Sequence, residues 1–238
     1  FSSTFSLDPA HFPYTKASVQ GVRDRRKQLD NQLFFDLVLS EVAQVKSGSK
    51  YYPPKNIAEL RALHDAIEQC PADLLKKQCC IYYILRDWGT HAEYAAAQLL
   101  PENYCALMDS YWLLDREQYD EAIKSLTVPT LTPNFMTKIL ETFTQAQRPD
   151  LIVVYVQTLQ EPLDSPAKID LYLSALLRID VTRALFFTRT APAALRQGLF
   201  EKSLVEATTT HQGAGIVANF PYEAEEEQWA RALLNSGK

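Results

Sequence analysis

The side chains best suited to chemistry in this chain are those of its four cysteines and four histidines. A zinc site needs several such ligands at short spacing, and a thiol nucleophile needs a base beside it. Cys79 and Cys80 are adjacent, Cys105 has no histidine motif near it, and no CxxC pair occurs. The sequence therefore predicts reduced, mostly buried thiols, no metal and no cofactor. The other members of the set are Cys70, His11, His64, His91 and His211.

Two further patterns with ligand-binding or catalytic potential have simpler interpretations. Gly213-Ala214-Gly215 has neither a preceding strand nor a following Gly-Lys-Ser/Thr, so it is typical of a flexible loop and not of a phosphate site. The acidic run EAEEE at residues 223–227 lies in the first turns of a predicted helix, where the helix dipole favours carboxylates. We expect it to be a solvated face. Because no catalytic set occurs, an enzyme is not predicted.

The elements that must position these side chains are helices. Only 7 glycines occur in 238 residues, which argues against a turn-rich β-sandwich or barrel. Apolar residues at helical spacing, separated by prolines, predict an all-α fold, an irregular α-solenoid or helical bundle of about a dozen helices. We expect an irregular N-terminal arm over residues 1–16 and a single helical domain over residues 17–238. Residues 151–159, LIVVYVQTL, favour a helix, although their β-branched run also fits a buried strand.

Charge and hydropathy narrow the range of partners. The formal net charge is −5, whereas proteins that bind a phosphate backbone cluster Lys and Arg. Direct nucleic-acid binding by this segment is therefore not expected. No apolar run approaches the roughly 20 residues that a membrane-spanning helix needs, and the first residues lack a signal-peptide pattern. A cytosolic or nuclear protein is expected.

The middle of the chain, YWLLDREQYDEAIKSLTVP at residues 111–129, predicts a helix end, a tight corner and a second helix. Trp112 is expected to be a core anchor. Asp115 is expected to cap the second helix, with Gln118 completing a capping box, and Pro129 to end it. The apolar face of such a unit is buried only when other helices lie beside it.

This segment resembles the ELYS-like helical domain of nuclear pore proteins. The shared pattern is a Leu-Pro-x-x-Tyr corner, then Trp-x-Leu-Asp with a downstream Ala and Leu, and a Pro-rich exit. The matching positions are Leu100, Pro101, Tyr104, Trp112, Leu114, Asp115, Ala122, Leu126, Pro129 and Pro133. The N-terminal landmarks that also match are Arg25-Arg26-Lys27-Gln28-Leu29, Phe35-Asp36 and Tyr52-Pro53-Pro54.

The resemblance implies a non-enzymatic structural nucleoporin at the nuclear envelope. It implies docking onto the Y-shaped scaffold complex of the nuclear pore through a helical surface, and a contribution to pore assembly. The implied partners are other Y-complex nucleoporins, in particular the long propeller-plus-helix arm subunit. The sequence is similar to the short fungal form of the family, which lacks the propeller and the basic chromatin-binding tail of the animal form.

A helical-repeat adaptor or peptide-binding scaffold of another large assembly, of proteasome-lid or coat type, remains the alternative. A lid subunit should end in a winged helix with strands, whereas IVANFPYEAEEEQWARALL offers at most one short strand. We expect partner contacts in the terminal segments, where basic residues meet an acidic partner or pair with acidic neighbours on a solvated helix. The candidate residues are Arg23, Arg25, Arg26, Phe220, Pro221, Tyr222 and Trp229.

Overall fold

A computed structural model of the chain describes residues 1, 4–6, 8–128, 131–160 and 162–235. Over these residues the chain forms fourteen α-helices and no strand, so the all-α prediction is confirmed. None of the described helices combines the length and the apolar character needed to cross a membrane. The chain divides into two compact units, Phe1–Pro133 and Asn134–Lys238. A single domain over residues 17–238 stays a prediction.

The first unit contains seven α-helices in its described part. They are α1 (Lys16–Gln28), α2 (Phe34–Leu37), α3 (Ile57–Gln69), α4 (Leu74–Leu85), α5 (His91–Gln98), α6 (Glu102–Leu114) and α7 (Tyr119–Leu126). A π-helix, Val38–Val42, continues α2, and short 3-10 helices occupy Pro9–His11 and Gly48–Lys50.

Helix α4 forms the centre of the first unit. It begins where the Asp73 side chain accepts a hydrogen bond from the Lys76 N–H, 3.0 Å away. Residues 79–85 are all buried, so this stretch has no solvent face. It packs against α3, α5, α6 and the π-helix, and the Tyr83 ring stacks on that of Phe35 at 4.0 Å between centroids. Helix α4 is therefore packed on more than one face.

The N-terminal arm supplies aromatic side chains to the same unit. Apart from one 3-10 turn, its described residues before α1 are irregular. Phe5 is buried, and its ring lies 5.3 Å from that of Trp88. Tyr14 lies 5.4 Å from the same indole. Burial of these rings fixes the arm on the helices.

The second unit contains seven more α-helices in its described part. They are α8 (Met136–Gln145), α9 (Pro149–Leu159), α10 (Pro166–Ile179), α11 (Val181–Thr188), α12 (Ala193–Thr208), α13 (His211–Ala218) and α14 (Ala224–Asn235). Helix α10 packs on α8, α9, α11 and α12. The β-branched run of residues 151–159 lies within α9, so the helical prediction is confirmed. A single strand at this place would have no strand to pair with.

The loop predicted at Gly213-Ala214-Gly215 is wrong, because these residues lie in α13. The Thr210 side chain caps this helix by accepting a hydrogen bond from the Gly213 N–H at 3.0 Å. A Cβ on Gly213 would lie only 2.1 Å from the Ala207 carbonyl oxygen of α12. Glycine therefore permits close approach of two helices here, and the Thr-rich segment is a helix corner.

Candidate functional site

Asp115 caps a helix, but not the one that the sequence predicted. It directly follows the last residue of α6, Leu114, and α7 begins after Gln118, whose side chain makes no capping hydrogen bond. Glu117 takes a left-handed φ of 58° between them, which delays the start of α7. The expected capping box is therefore wrong, and Asp115 turns inward. Pro129, expected to end α7, lies outside the described residues.

The Asp115 carboxylate instead caps α2. It accepts hydrogen bonds from the backbone N–H groups of Phe34 at 2.8 Å and Phe35 at 3.0 Å. It also accepts one from the Tyr83 hydroxyl at 2.7 Å. Burial raises the pKa of Asp115 to about 7, although these three hydrogen bonds act in the opposite direction. This family-pattern residue thus joins α2, α4 and α6.

Arg26, a predicted partner-binding residue, is held inside the first unit. Its guanidinium donates to both oxygens of Asp36, at 2.7 and 2.9 Å, and to the carbonyl of Tyr52 at 2.7 Å. Asp36 also accepts from the Leu33 N–H at 2.9 Å. Such a bidentate, partly buried pair fixes α1 against α2.

The other two predicted arginines are more accessible. Arg25 pairs with Glu117 at 2.8 Å, which fits the expected pairing with acidic neighbours. Arg23 is exposed on α1. As partner-binding residues all three stay predictions, and the structure shows that substitution of Arg26 would disturb packing.

Asp87 is the centre of a second polar cluster. Its carboxylate accepts hydrogen bonds from the hydroxyls of Tyr14 at 2.6 Å and Tyr52 at 2.8 Å, and from the Trp112 indole at 2.9 Å. Arg116 forms a short ion pair with it. Through these contacts Asp87, just after α4, connects the N-terminal arm, the loop before α3 and the C-terminal end of α6.

Trp112 is a bridging residue and not a fully buried anchor. Its ring is partly buried, and the guanidinium groups of Arg86 and Arg116 lie over it, 4.6 and 4.8 Å from its centroid. Both arginines attract the π-face of the indole. A surface pocket of about 380 Å³ lies beside it, but the polar groups of Asp87 and Arg116 are already paired with each other.

The predicted C-terminal residues come together in one cluster of the second unit. Phe220 is buried at 6% exposure with Phe200, and the rings of Tyr222 and Trp229 lie about 6 Å from Phe200, at 6.1 and 6.0 Å. Pro221 is exposed, and its carbonyl accepts a hydrogen bond from Arg189 at 2.7 Å. Their proposed role in partner binding stays a prediction, and Phe220 has a packing role in the structure.

The sequence predicted that the acidic run before and within α14 is a solvated face. This prediction is wrong for one residue, Glu226. Glu226 is fully buried and accepts two hydrogen bonds from Arg189, both at 2.8 Å. It also accepts one from the Glu223 N–H at 2.9 Å. Burial tends to raise the pKa of Glu226, but these hydrogen bonds outweigh it and lower the pKa below the usual value. On α14, Glu226 lies on the side of the helix that faces the protein interior.

The thiols are in environments that suppress nucleophilicity. All four cysteines are free, and Cys70, Cys79 and Cys80 are buried as predicted. Burial raises the pKa of Cys79 to about 12 and that of Cys80 further. Burial also raises the pKa of the half-buried Cys105. A thiolate is the reactive form, so little is present near neutral pH. Within the described residues no three potential metal ligands converge.

One open surface of the first unit is a groove between α5 and α6, here called the α5–α6 groove. Helix α5 contributes no buried residue, and the groove has a volume of about 600 Å³. Leu99, the residue that follows the last residue of α5, is 87% exposed. The lining residues are Ala95, Ala96, Leu99, Leu100, Glu102, Cys105, Ala106 and Asp109.

Sequence reasoning missed this groove. The only signal was the composition of HAEYAAAQLL, whose small alanines bury little apolar area and whose leucines come at its end. The exposure of Leu99 depends on where α4 and α6 lie, and spacing within one helix does not report that.

Comparison with known proteins gives two findings. The model of the family ELYS, described as nuclear pore complex assembly, matches residues 32–237. Uncharacterized protein ely5 of Schizosaccharomyces pombe is 33% identical over 241 residues, which cover 100% of this chain and 80% of that protein. The matched region includes all helices from α2 to α14, and with them the Asp115 cap and the α5–α6 groove.

Proposed function

The chain belongs to the ELYS family of nuclear pore complex assembly proteins, and on that premise we propose that it docks onto the Y-shaped scaffold complex. The observation that carries the proposal is the family match over residues 32–237, which spans both compact units. The resemblance inferred from the sequence is thereby confirmed. The family role is structural, and it implies association with the nuclear pore.

The proposed partners are other Y-complex nucleoporins, in particular the long propeller-plus-helix arm subunit. Several observations support a binding role of this kind. The exposed apolar side chains of the described helices include Leu74 and Leu99, at 68% and 87% exposure, which suit contact with another protein. The net charge of −5 disfavours direct binding to nucleic acid. The proposed location is the nuclear envelope.

A pull-down with each purified Y-complex subunit tests this function. We expect one subunit, the long arm subunit, to retain the chain at micromolar concentration in physiological salt. Circular dichroism on the same sample must show a helical protein, so that a negative result reports on binding and not on misfolding. Failure of a folded chain to bind every Y-complex subunit would refute the docking proposal. Binding to a proteasome-lid or coat subunit instead would favour the adaptor alternative.

A further inference from the structure

We infer that the α5–α6 groove binds an amphipathic helix of the Y-complex partner, with Lys or Arg beside its apolar face. This inference rests on the proposed docking function, because it names the surface used and the chemistry of the partner. The argument depends on the shape of the groove, its exposed apolar side chains and its charge.

The shape of the groove suits a helix. Ala95 and Ala96 of α5 and Ala106 of α6 carry short side chains, so a third helix can approach both backbones closely. A groove of about 600 Å³ holds several side chains of such a helix. Helix α5 packs on α4, but none of its residues is fully buried, so its groove side stays open to a partner helix.

One strongly exposed apolar side chain, Leu99, lines the groove, and two others lie on the neighbouring helices α4 and α6. Leu99 is 87% exposed and Tyr104, on the first turns of α6, is 39% exposed. Leu74 is 68% exposed and lies one turn before Gln78, whose amide donates to Gln98 of α5 at 3.0 Å. Removing these side chains from water would favour association. The apolar face of the partner helix would cover these side chains.

The charge of the groove selects a basic partner. Glu102 and Asp109 are its charged lining residues, and no Lys or Arg lines it. They lie seven residues apart on α6, about 10 Å along the helix axis. Asp109 accepts from the Tyr82 hydroxyl at 2.9 Å and lies 3.4 Å from Arg86, whereas Glu102 is exposed and has no ion pair among the described residues.

This arrangement disfavours a second copy of the chain as the occupant. Two copies packed through the same groove would bring Glu102 and Asp109 of each near like charges of the other. Because Asp109 is already paired with Arg86, a partner helix with Lys or Arg facing Glu102 and apolar residues facing the alanines would match the groove.

The apolar contribution is tested with Leu99→Asn. Leu99 has a left-handed φ of 53°, a conformation that asparagine tolerates better than leucine, so the variant should fold at least as well. Gln160→Asn is the matched control, because Gln160 ends α9 with a φ of 52°. We expect Leu99→Asn to weaken binding to the retained Y-complex subunit about tenfold or more, and Gln160→Asn to leave it unchanged.

The charge contribution is tested with Glu102→Gln. This residue lies in the first turn of α6, and Glu121→Gln in the first turn of α7 is the control with the same effect on a helix dipole. We expect Glu102→Gln to weaken binding about threefold to tenfold, and to reduce its salt dependence. Titration of the labelled subunit into each variant of the whole 238-residue chain gives the dissociation constants.

The outcomes separate this inference from the docking proposal. If the wild-type chain binds a Y-complex subunit and both groove variants bind as tightly as their controls, the groove is not the docking surface and the docking function stands. If the wild-type chain binds no Y-complex subunit, both proposals fail. If Leu99→Asn instead dissolves a dimer of the chain in light scattering, a second copy occupies the groove and the inference is overturned.

Discussion

Asp115 joins three helices of the first unit through its two carboxylate oxygens. The donors are two backbone N–H groups at the start of α2 and the Tyr83 hydroxyl of α4, all within 3.0 Å. Unpaired N–H groups at a helix start need acceptors, and a buried carboxylate supplies two strong ones. The ELYS-like pattern Trp-x-Leu-Asp therefore contains a residue that organises packing across about 80 positions of sequence.

Replacement of Asp115 by Asn should destabilise the protein. Asparagine keeps the size of the side chain but turns an NH₂ group toward backbone donors, which leaves at least one buried N–H without an acceptor. We expect the free energy of unfolding to fall by about 2–3 kcal/mol. Urea denaturation followed by circular dichroism measures it. The exposed Asp24→Asn is the control and should change little, and equal stability of both variants would contradict the proposed role of Asp115.

Glu226 should make stability depend on acidic pH. Its pKa is lower in the folded protein than the ordinary value of 4.5, so the folded state binds fewer protons than the unfolded chain between those values. Its contribution is therefore present above about pH 4.5 and is lost as the pH falls through the folded pKa. The stability difference between wild type and Glu226→Gln should be largest near neutral pH.

Urea unfolding of wild type and Glu226→Gln between pH 3 and pH 7 measures this difference. The neighbouring Glu227→Gln is the control, because Glu227 is exposed and pairs only along α14 with Arg231. A difference that does not change with pH would show that the hydrogen bonds to Arg189 act without the charge of Glu226.

At the scale of elements, the sequence predicted helices better than their junctions. The second helix predicted within residues 111–129 is present as α7, because apolar spacing reports burial directly. Asp115 and Gly213 have local neighbours that suggest a cap and a loop. Asp115 instead accepts a hydrogen bond from Phe34, and Gly213 lies against the carbonyl oxygen of Ala207. The residues next to Asp115 and Gly213 in the sequence do not reveal these tertiary contacts.

Alanine substitution at two glycines of α13, Gly213 and Gly215, should change the stability of the protein in opposite directions. Gly213→Ala would place a Cβ against the Ala207 carbonyl, so we expect a loss of about 1–3 kcal/mol. Gly215→Ala meets no atom within 4 Å in the middle of α13, and we expect a gain of about 0.5–1 kcal/mol. Thermal and urea unfolding of both variants measure the pair. Equal effects of the two substitutions would refute the close approach of the helices.

At the scale of the whole molecule, the family and the all-α fold could be predicted from the sequence, whereas the candidate site could not. The corner residues of the ELYS-like pattern are packing residues, so they identify the fold but do not indicate which surface binds a partner. Phe220 and Arg26 were chosen as terminal aromatic and basic residues, and both lie inside their units. Exposure of Leu99 follows from tertiary packing, which a single sequence does not show.

Photo-crosslinking from the α5–α6 groove tests the central claim most directly. A benzophenone amino acid placed at position 99 would be mixed with the reconstituted Y complex, with the same group at the exposed Leu234 of α14 as control. We predict an adduct from position 99 to a Lys- or Arg-flanked helix of one Y-complex subunit, and none from position 234. No adduct with any Y-complex subunit from position 99, or equal adducts from both positions, would contradict docking through this groove.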